Sequence, residues 1–81
     1  MIGLTDAELY QLIGQNIKKY RIMSGFTQQQ LADKAQISLS YLSKIEAAKC
    51  SKSMSISVLN QIANVLNIKI ENFFKVNKNE I

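Results

Sequence analysis

Apolar residues recur along this chain at spacings of three and four, and no stretch alternates as a half-buried strand does. The first such pattern has its apolar face formed by Leu9, Ile13, Ile17 and Tyr20. Thr5 and Glu8 have the spacing of a capping box just before it, and Gly25 stands where a left-handed C-cap belongs. The pattern therefore predicts a long first helix over residues 6–23.

The central part of the chain has two short helical patterns separated by a tight turn. Thr27 and Gln30 form a second capping box, which predicts a helix over 28–35, and Ser38 can cap another helix over 39–47. The residues predicted to be buried in this part are Leu31, Ala32, Ala35, Ile37, Leu42 and Ile45. Two short helices joined by such a turn are typical of a helix-turn-helix.

Two further elements complete the predicted domain. Ser55 or Ser57 caps a fourth helix that ends near Asn67, with a buried face formed by Leu59, Ile62, Ala63 and Leu66. A short fifth helix has on one side Ile70, Phe73 and Phe74. Residues 76–81 read as a polar tail. We therefore expect one all-α domain over residues 1–81, with its core in 6–75 and its helix-turn-helix in 28–47.

The central stretch resembles the Cro and phage-repressor (XRE-like) helix-turn-helix family of transcriptional regulators. The matching residues are Arg21, Gly25, Thr27, Gln28, Leu31, Ala32, Ile37, Ser38, Leu42, Ser43, Ile45 and Glu46. The resemblance covers about residues 12–75. It implies a five-helix lambda-repressor-like DNA-binding domain whose third helix enters the major groove.

The basic residues are concentrated around this motif. The net charge is +4, and residues 18–52 hold seven basic and two acidic residues. Such an excess suits a surface that binds phosphates, although a moderately basic soluble protein explains the charge about equally well.

The resemblance assigns base contacts to the outer residues of the third helix. Lys44 could donate to guanine, Ser40 could donate or accept, and Ser43 lies at the margin of this face. Leu39 could touch a thymine methyl group or could instead pack in the core. Because the face has few bidentate readers, we expect DNA shape and backbone contacts to carry much of the specificity.

Other polar residues near the motif are candidates for phosphate contacts. In the family the residue at the position of Gln28 contacts phosphate at a helix N-terminus. For Gln28 itself, a solvated polar face is the alternative. The candidate DNA-backbone contacts are Lys18, Gln28, Gln29, Ser38, Tyr41, Lys49 and Lys52. Lys19 and Lys34 read as plain surface charges.

Four positions near the motif bear on its structure. The resemblance implies a partly buried ion pair between Arg21 and Glu46 that orients the third helix. Gln36 and Ala48 stand where the family commonly has glycine. If either must be left-handed, its side chain costs about 1 kcal/mol.

Several classes of function are disfavoured. The chain has no histidine and only one cysteine, and it shows no glycine-rich phosphate loop, so no enzyme, metal, cofactor or small-molecule ligand is expected. Cys50 could be a redox sensor, but a neutral bystander is the simpler interpretation. No signal peptide and no apolar run of membrane-spanning length are present, so a cytoplasmic location is expected.

The family resemblance implies a regulator, a repressor or controller protein, that binds double-stranded DNA. Because one short helix reads only a few base pairs, we expect a dimer on an inverted repeat. The predicted homodimer interface consists of Ile70, Phe73 and Phe74, whose alternative role is to close the domain's own core. A protein-interaction or antitoxin-like module with the same fold is the alternative function.

Overall fold

The structure, a computed structural model, describes residues 3–48 and 54–76. These residues form four α-helices and one 3₁₀ helix, and none of them is in a strand. In chain order the elements are α1 (Asp6–Met23), α2 (Gln28–Ala35), α3 (Leu39–Glu46), α4 (Ile56–Leu66) and the 3₁₀ helix (Ile70–Phe74). The all-α class is confirmed. The fifth predicted helix is a short 3₁₀ segment, so the five-helix description holds only when this segment is counted.

Side chains at the helix starts explain why the helices begin where they do. The Thr5 hydroxyl accepts from the Glu8 N–H at 3.1 Å, and the Glu8 carboxylate accepts from the Thr5 N–H at 2.9 Å. Thr27 and Gln30 repeat this reciprocal pair before α2. Ser55 caps α4 by accepting from the backbone of Val58. Both predicted capping boxes are therefore present, and Ser55 rather than Ser57 begins α4.

All four α-helices are followed by a residue in the left-handed conformation. Gly25 follows the C-cap of α1 with φ 79°, and Asn67 is the C-cap of α4 with φ 58°. Gln36 at the end of α2 and Ala48 just after α3 both have φ 60°. The two positions where the family commonly has glycine therefore do require the glycine conformation.

Gln36→Gly and Ala48→Gly are each expected to stabilise the fold by about 0.5–1 kcal/mol. Glycine removes the steric cost of the left-handed backbone, and its greater freedom in the unfolded chain offsets part of that gain. Urea unfolding measures the change. Asn67→Gly is the control and should gain less, because asparagine tolerates this conformation better. Loss of stability in both glycine variants would contradict the strain at these positions.

The core lies where α1, α2, α3, α4 and the 3₁₀ helix meet. Its buried apolar residues are Ile13, Ile17, Leu31, Ala32, Ala35, Leu42, Ile45, Leu59, Ile62, Ala63, Leu66 and Phe73. Leu9 and Tyr20, predicted on the buried face of α1, are half-buried and pack against this cluster. α1 contacts α3, α4 and the 3₁₀ helix, whereas α2 packs against α3 and α4.

Two residues of α1 make close contacts that fix the positions of α3 and of the 3₁₀ helix. A Cβ at Gly14 would overlap the carbonyl oxygen of Ile45, so the backbones of α1 and α3 touch at this point. Asn16 is buried, and its amide nitrogen donates to the carbonyl oxygens of Phe73 at 2.8 Å and Lys75 at 2.9 Å. Gly14 thus allows α3 to pack close to α1, and Asn16 binds the 3₁₀ helix to α1.

Candidate nucleic-acid interface

Helix α3 carries an exposed outer face opposite a fully buried inner face. Leu42 and Ile45 are 0% exposed. Ser40 and Lys44 are exposed, and Leu39 is 40% exposed. The alternative that Leu39 is a core residue is therefore wrong. The outer face presents a cation, a hydroxyl and an aliphatic group, a set that can contact base edges in a major groove.

The start of α3 is held by its own cap. Ser38 is exposed, and its hydroxyl accepts from the backbone N–H of Tyr41 at 3.0 Å. Tyr41 is half-buried and packs against the core. The predicted capping role of Ser38 is confirmed. Backbone contact with DNA by Ser38 and Tyr41 stays a prediction.

Arg21 and Glu46 form the predicted ion pair between α1 and the end of α3. The Arg21 Nε donates to Glu46 Oε2 at 2.7 Å and Nη2 donates to Glu46 Oε1 at 3.1 Å, so the contact is bidentate. Arg21 Nη1 also donates to the carbonyl oxygen of Phe26 at 2.8 Å. The two side chains are 11% and 3% exposed, which makes this a largely buried pair. It links α1, the turn before α2 and the end of α3.

Gln28 joins this ion pair to the middle of α3. Its Nε2 donates to Glu46 Oε1 at 3.1 Å, and its Oε1 accepts from the Ser43 hydroxyl at 3.1 Å. Gln28 and Ser43 are both half-buried. The Gln28 amide nitrogen keeps a second hydrogen, so the predicted phosphate contact is compatible with this geometry. The alternative of a merely solvated Gln28 side chain does not fit these bonds.

The first turn of α2 points its N–H groups out of the helix end, beside α3. Such a terminus attracts anions through these donors and the helix dipole. Gln29 is exposed there, and its Nε2 donates to Asp33 Oδ1 at 2.8 Å. Its predicted phosphate contact stays a prediction.

The lysines of α1 and α2 differ in their surroundings. Lys18 is exposed on α1. Lys19 lies 5.0 Å from the ring centre of Tyr20, and Lys34 lies 5.8 Å from that of Phe26. The predicted backbone contacts Lys49 and Lys52 lie outside the described residues, as does Cys50.

The three residues predicted to form a dimer interface have different environments. Phe73 is 0% exposed and belongs to the core, which corrects the expectation that its side chain is available to a partner. Ile70 is half-buried against the core. Phe74 is 39% exposed. Of the three, Phe74 presents the most surface to solvent.

The described ranges 3–48 and 54–76 also bear on membrane insertion and on metal binding. None of the helices there combines the length and apolar character needed to cross a membrane. Within the same ranges no group of three or more His, Cys, Asp or Glu side chains is arranged to hold a metal ion.

Comparison with known families agrees with this geometry. A family model described as helix-turn-helix matches residues 17–73, more than half of the chain. The chain belongs to the helix-turn-helix family. The match covers the end of α1, all of α2, α3 and α4, and most of the 3₁₀ helix. The predicted Cro and phage-repressor (XRE-like) resemblance is confirmed.

Individual relatives of this helix-turn-helix protein are bacterial regulators. The HTH-type transcriptional regulator SinR of Bacillus subtilis is 39% identical over 59 residues, which are 73% of this chain and 52% of SinR. The chain thus spans about half the length of the curated relatives it matches. A crystal structure of the biofilm master regulator SinR in complex with DNA matches with TM-score 0.71 and 36% identity, over 78% of this chain and 98% of that one. A complex of the SinR and SinI proteins matches with TM-score 0.75 and 33% identity, over 85% and 66%.

Proposed function

We propose that this protein is a sequence-specific DNA-binding transcriptional regulator that places α3 in the major groove. The observation that carries the proposal is the exposed outer face of α3, held by the buried Arg21–Glu46 pair. The similarity to a SinR structure in complex with DNA supports it, because nearly all of that chain is covered. No catalytic role is proposed, and a regulator of bacterial genes would work in the cytoplasm.

In this proposal contacts divide between bases and phosphates. Base edges would be contacted by Leu39, Ser40 and Lys44, and by Ser43 at the margin of the same face. Lys18, Gln28 and the first turn of α2 would contact the DNA backbone, as would Lys49 and Lys52. Neutralised phosphates release counterions, so affinity should fall by about 0.9 log unit per log unit of salt for each phosphate contact.

Lys44→Gln is expected to lower affinity for a selected duplex by about tenfold or more, because a base contact from lysine is worth about 1–3 kcal/mol. Lys19→Gln removes the same charge from α1 and should change affinity by about twofold at most. Fluorescence anisotropy at several salt concentrations measures both. Equal losses in the two variants would show that the outer face of α3 does not read bases.

We further propose that the protein binds DNA as a homodimer on an inverted repeat. One short helix reads only a few base pairs, so useful specificity usually needs two half-sites about one helical turn apart. Phe74, exposed at the end of the 3₁₀ helix, is the interface residue we favour, together with the half-buried Ile70.

Phe74→Lys is expected to give a folded monomer with weak DNA affinity, because a charge replaces an apolar contact at the interface. Light scattering coupled to size exclusion measures the mass, and circular dichroism measures folding. Met23→Lys is the control, since Met23 is 71% exposed on α1 outside the proposed interface. A Phe74→Lys protein that remains dimeric would place the interface elsewhere.

A protein-interaction or antitoxin-like module is the second candidate function. A groove of mixed polarity runs along the first half of α1 and is lined by Leu4, Glu8, Gln11, Leu12, Gln15 and Val76. The similarity to SinR in its complex with SinI agrees with a protein partner. Steep salt dependence together with a sequence preference favours the DNA-binding function, and the absence of both favours this alternative.

A further inference from the structure

The hydrogen bonds around Glu46 have a fixed direction. A carboxylate only accepts hydrogen bonds, and Glu46 Oε1 takes them from Arg21 Nη2 and from Gln28 Nε2, both at 3.1 Å. The reverse orientation of the Gln28 amide would place its oxygen against a carboxylate oxygen, with no proton between them. The ion pair therefore holds the Gln28 nitrogen toward Glu46.

This orientation determines what Ser43 can do. With the Gln28 nitrogen toward Glu46, its carbonyl oxygen faces Ser43 Oγ at 3.1 Å. An amide oxygen only accepts, so the Ser43 hydroxyl must donate its single proton to Gln28. Ser43 is left with lone pairs and no proton. A serine that could donate or accept has become an acceptor.

Ser43 lies where a donor group on a base edge could bond to its hydroxyl oxygen. It is half-buried at the edge of the outer face of α3, three residues after Ser40 and next to Lys44. Residues three apart on a helix are neighbours on its surface. In the major groove adenine N6 and cytosine N4 donate hydrogen bonds, whereas guanine O6 and thymine O4 accept them.

We propose that Gln28 determines base specificity without touching a base, by making Ser43 an acceptor that selects adenine or cytosine at one position of each half-site. Gln28 is then a positioning residue that acts through Ser43, and Arg21 and Glu46 set its orientation. The inference rests on the proposed DNA-binding function.

The test first selects bound duplexes with the wild-type protein and then measures competition by every single-base variant of the enriched site. The wild type should prefer adenine or cytosine about fivefold at one position per half-site, the effect of one net hydrogen bond. Ser43→Ala should lose that preference and keep the others. Ser43→Thr keeps the hydroxyl and should retain it.

Gln28→Met is the deciding variant, because methionine has a similar shape but offers no amide oxygen. Its Ser43 hydroxyl is free to donate, so guanine and thymine should become acceptable at that position alone. Any loss of a phosphate contact by Gln28 would weaken all sequences equally. Gln61→Met, on the exposed side of α4, is the matched control and should change nothing.

Three results would overturn the proposal. They are a wild-type preference for guanine or thymine at the Ser43-dependent position, no dependence on Ser43→Ala, and an unchanged preference in folded Gln28→Met protein. Thermal melting verifies that each variant is folded. If Gln28→Met is unfolded, Gln28→Leu removes the same oxygen and is judged by the same criterion. Failure of the wild type to enrich any sequence would instead remove the proposed function itself, and this inference with it.

Discussion

Glu46→Gln is expected to lower the free energy of unfolding by about 3–5 kcal/mol, the usual effect of breaking a buried ion pair. The substitution leaves the Arg21 guanidinium without a charged partner at a site where the two side chains are only 11% and 3% exposed. It also replaces the acceptor-only carboxylate that orients Gln28 with an amide that can donate as well as accept. Loss of DNA affinity should therefore accompany the loss of stability, because the end of α3 is no longer fixed to α1.

Urea unfolding followed by circular dichroism measures this change. Glu71→Gln is the matched control, because Glu71 is an exposed carboxylate on the 3₁₀ helix and its loss should matter by about 0.5 kcal/mol or less. The double variant Arg21→Met, Glu46→Leu should recover much of the stability, since it removes both charges together. A change of only a few tenths of a kcal/mol in Glu46→Gln would mean that the pair behaves as a surface pair.

Gly14→Ala is expected to destabilise the protein by about 1–3 kcal/mol or more, although alanine normally stabilises a helix interior relative to glycine. The added Cβ would overlap the Ile45 carbonyl oxygen, and backbone cannot move aside as a flexible side chain can. α1 and α3 must separate, which shifts α3 and the outer face proposed to contact DNA. Affinity for DNA should fall even at temperatures where the variant is folded.

Thermal melts and anisotropy titrations of the same preparation measure both effects. Gln15→Ala is the control, because Gln15 is the exposed neighbour on α1 and its truncation should change stability by about 0.5 kcal/mol or less. A Gly14→Ala protein that is as stable as the wild type, or more so, would contradict the close contact between α1 and α3.

The features that the sequence predicted correctly are those that depend on near neighbours in the chain. Capping boxes are made by residues three apart, so Thr5–Glu8 and Thr27–Gln30 place the starts of α1 and α2 directly. Helical periodicity likewise identified the buried faces. The left-handed positions at Gly25 and Asn67 follow from the backbone preferences of single residues.

The features that the sequence did not reveal depend on contacts between distant parts of the chain. Asn16 falls within the buried face of α1, and a polar residue in that stripe was the available signal, but its acceptors lie 57 and 59 residues further along. Gly14 depends on where α3 crosses. The bonds of Gln28 to Ser43 and Glu46 require the folded helix-turn-helix.

The burial of Phe73 shows a related limit of sequence patterns. Periodicity placed it on one side of the fifth helix with Ile70 and Phe74, and a stripe of this kind can face either the core or a partner. In a 3₁₀ helix successive residues point in directions about 120° apart, so adjacent Phe73 and Phe74 separate into a buried and an exposed side chain. The ion pair, in contrast, came from the family resemblance and is present as expected.

The most direct test of sequence-specific dimeric DNA binding is selection of bound sites from a random duplex pool, with purified protein at near-physiological salt. We expect enrichment of an inverted repeat whose half-site centres lie about one helical turn, roughly 34–36 Å, apart. Weak, salt-sensitive binding with no enriched sequence would contradict it. That result would leave the basic residues as a non-specific feature and favour the protein-interaction function.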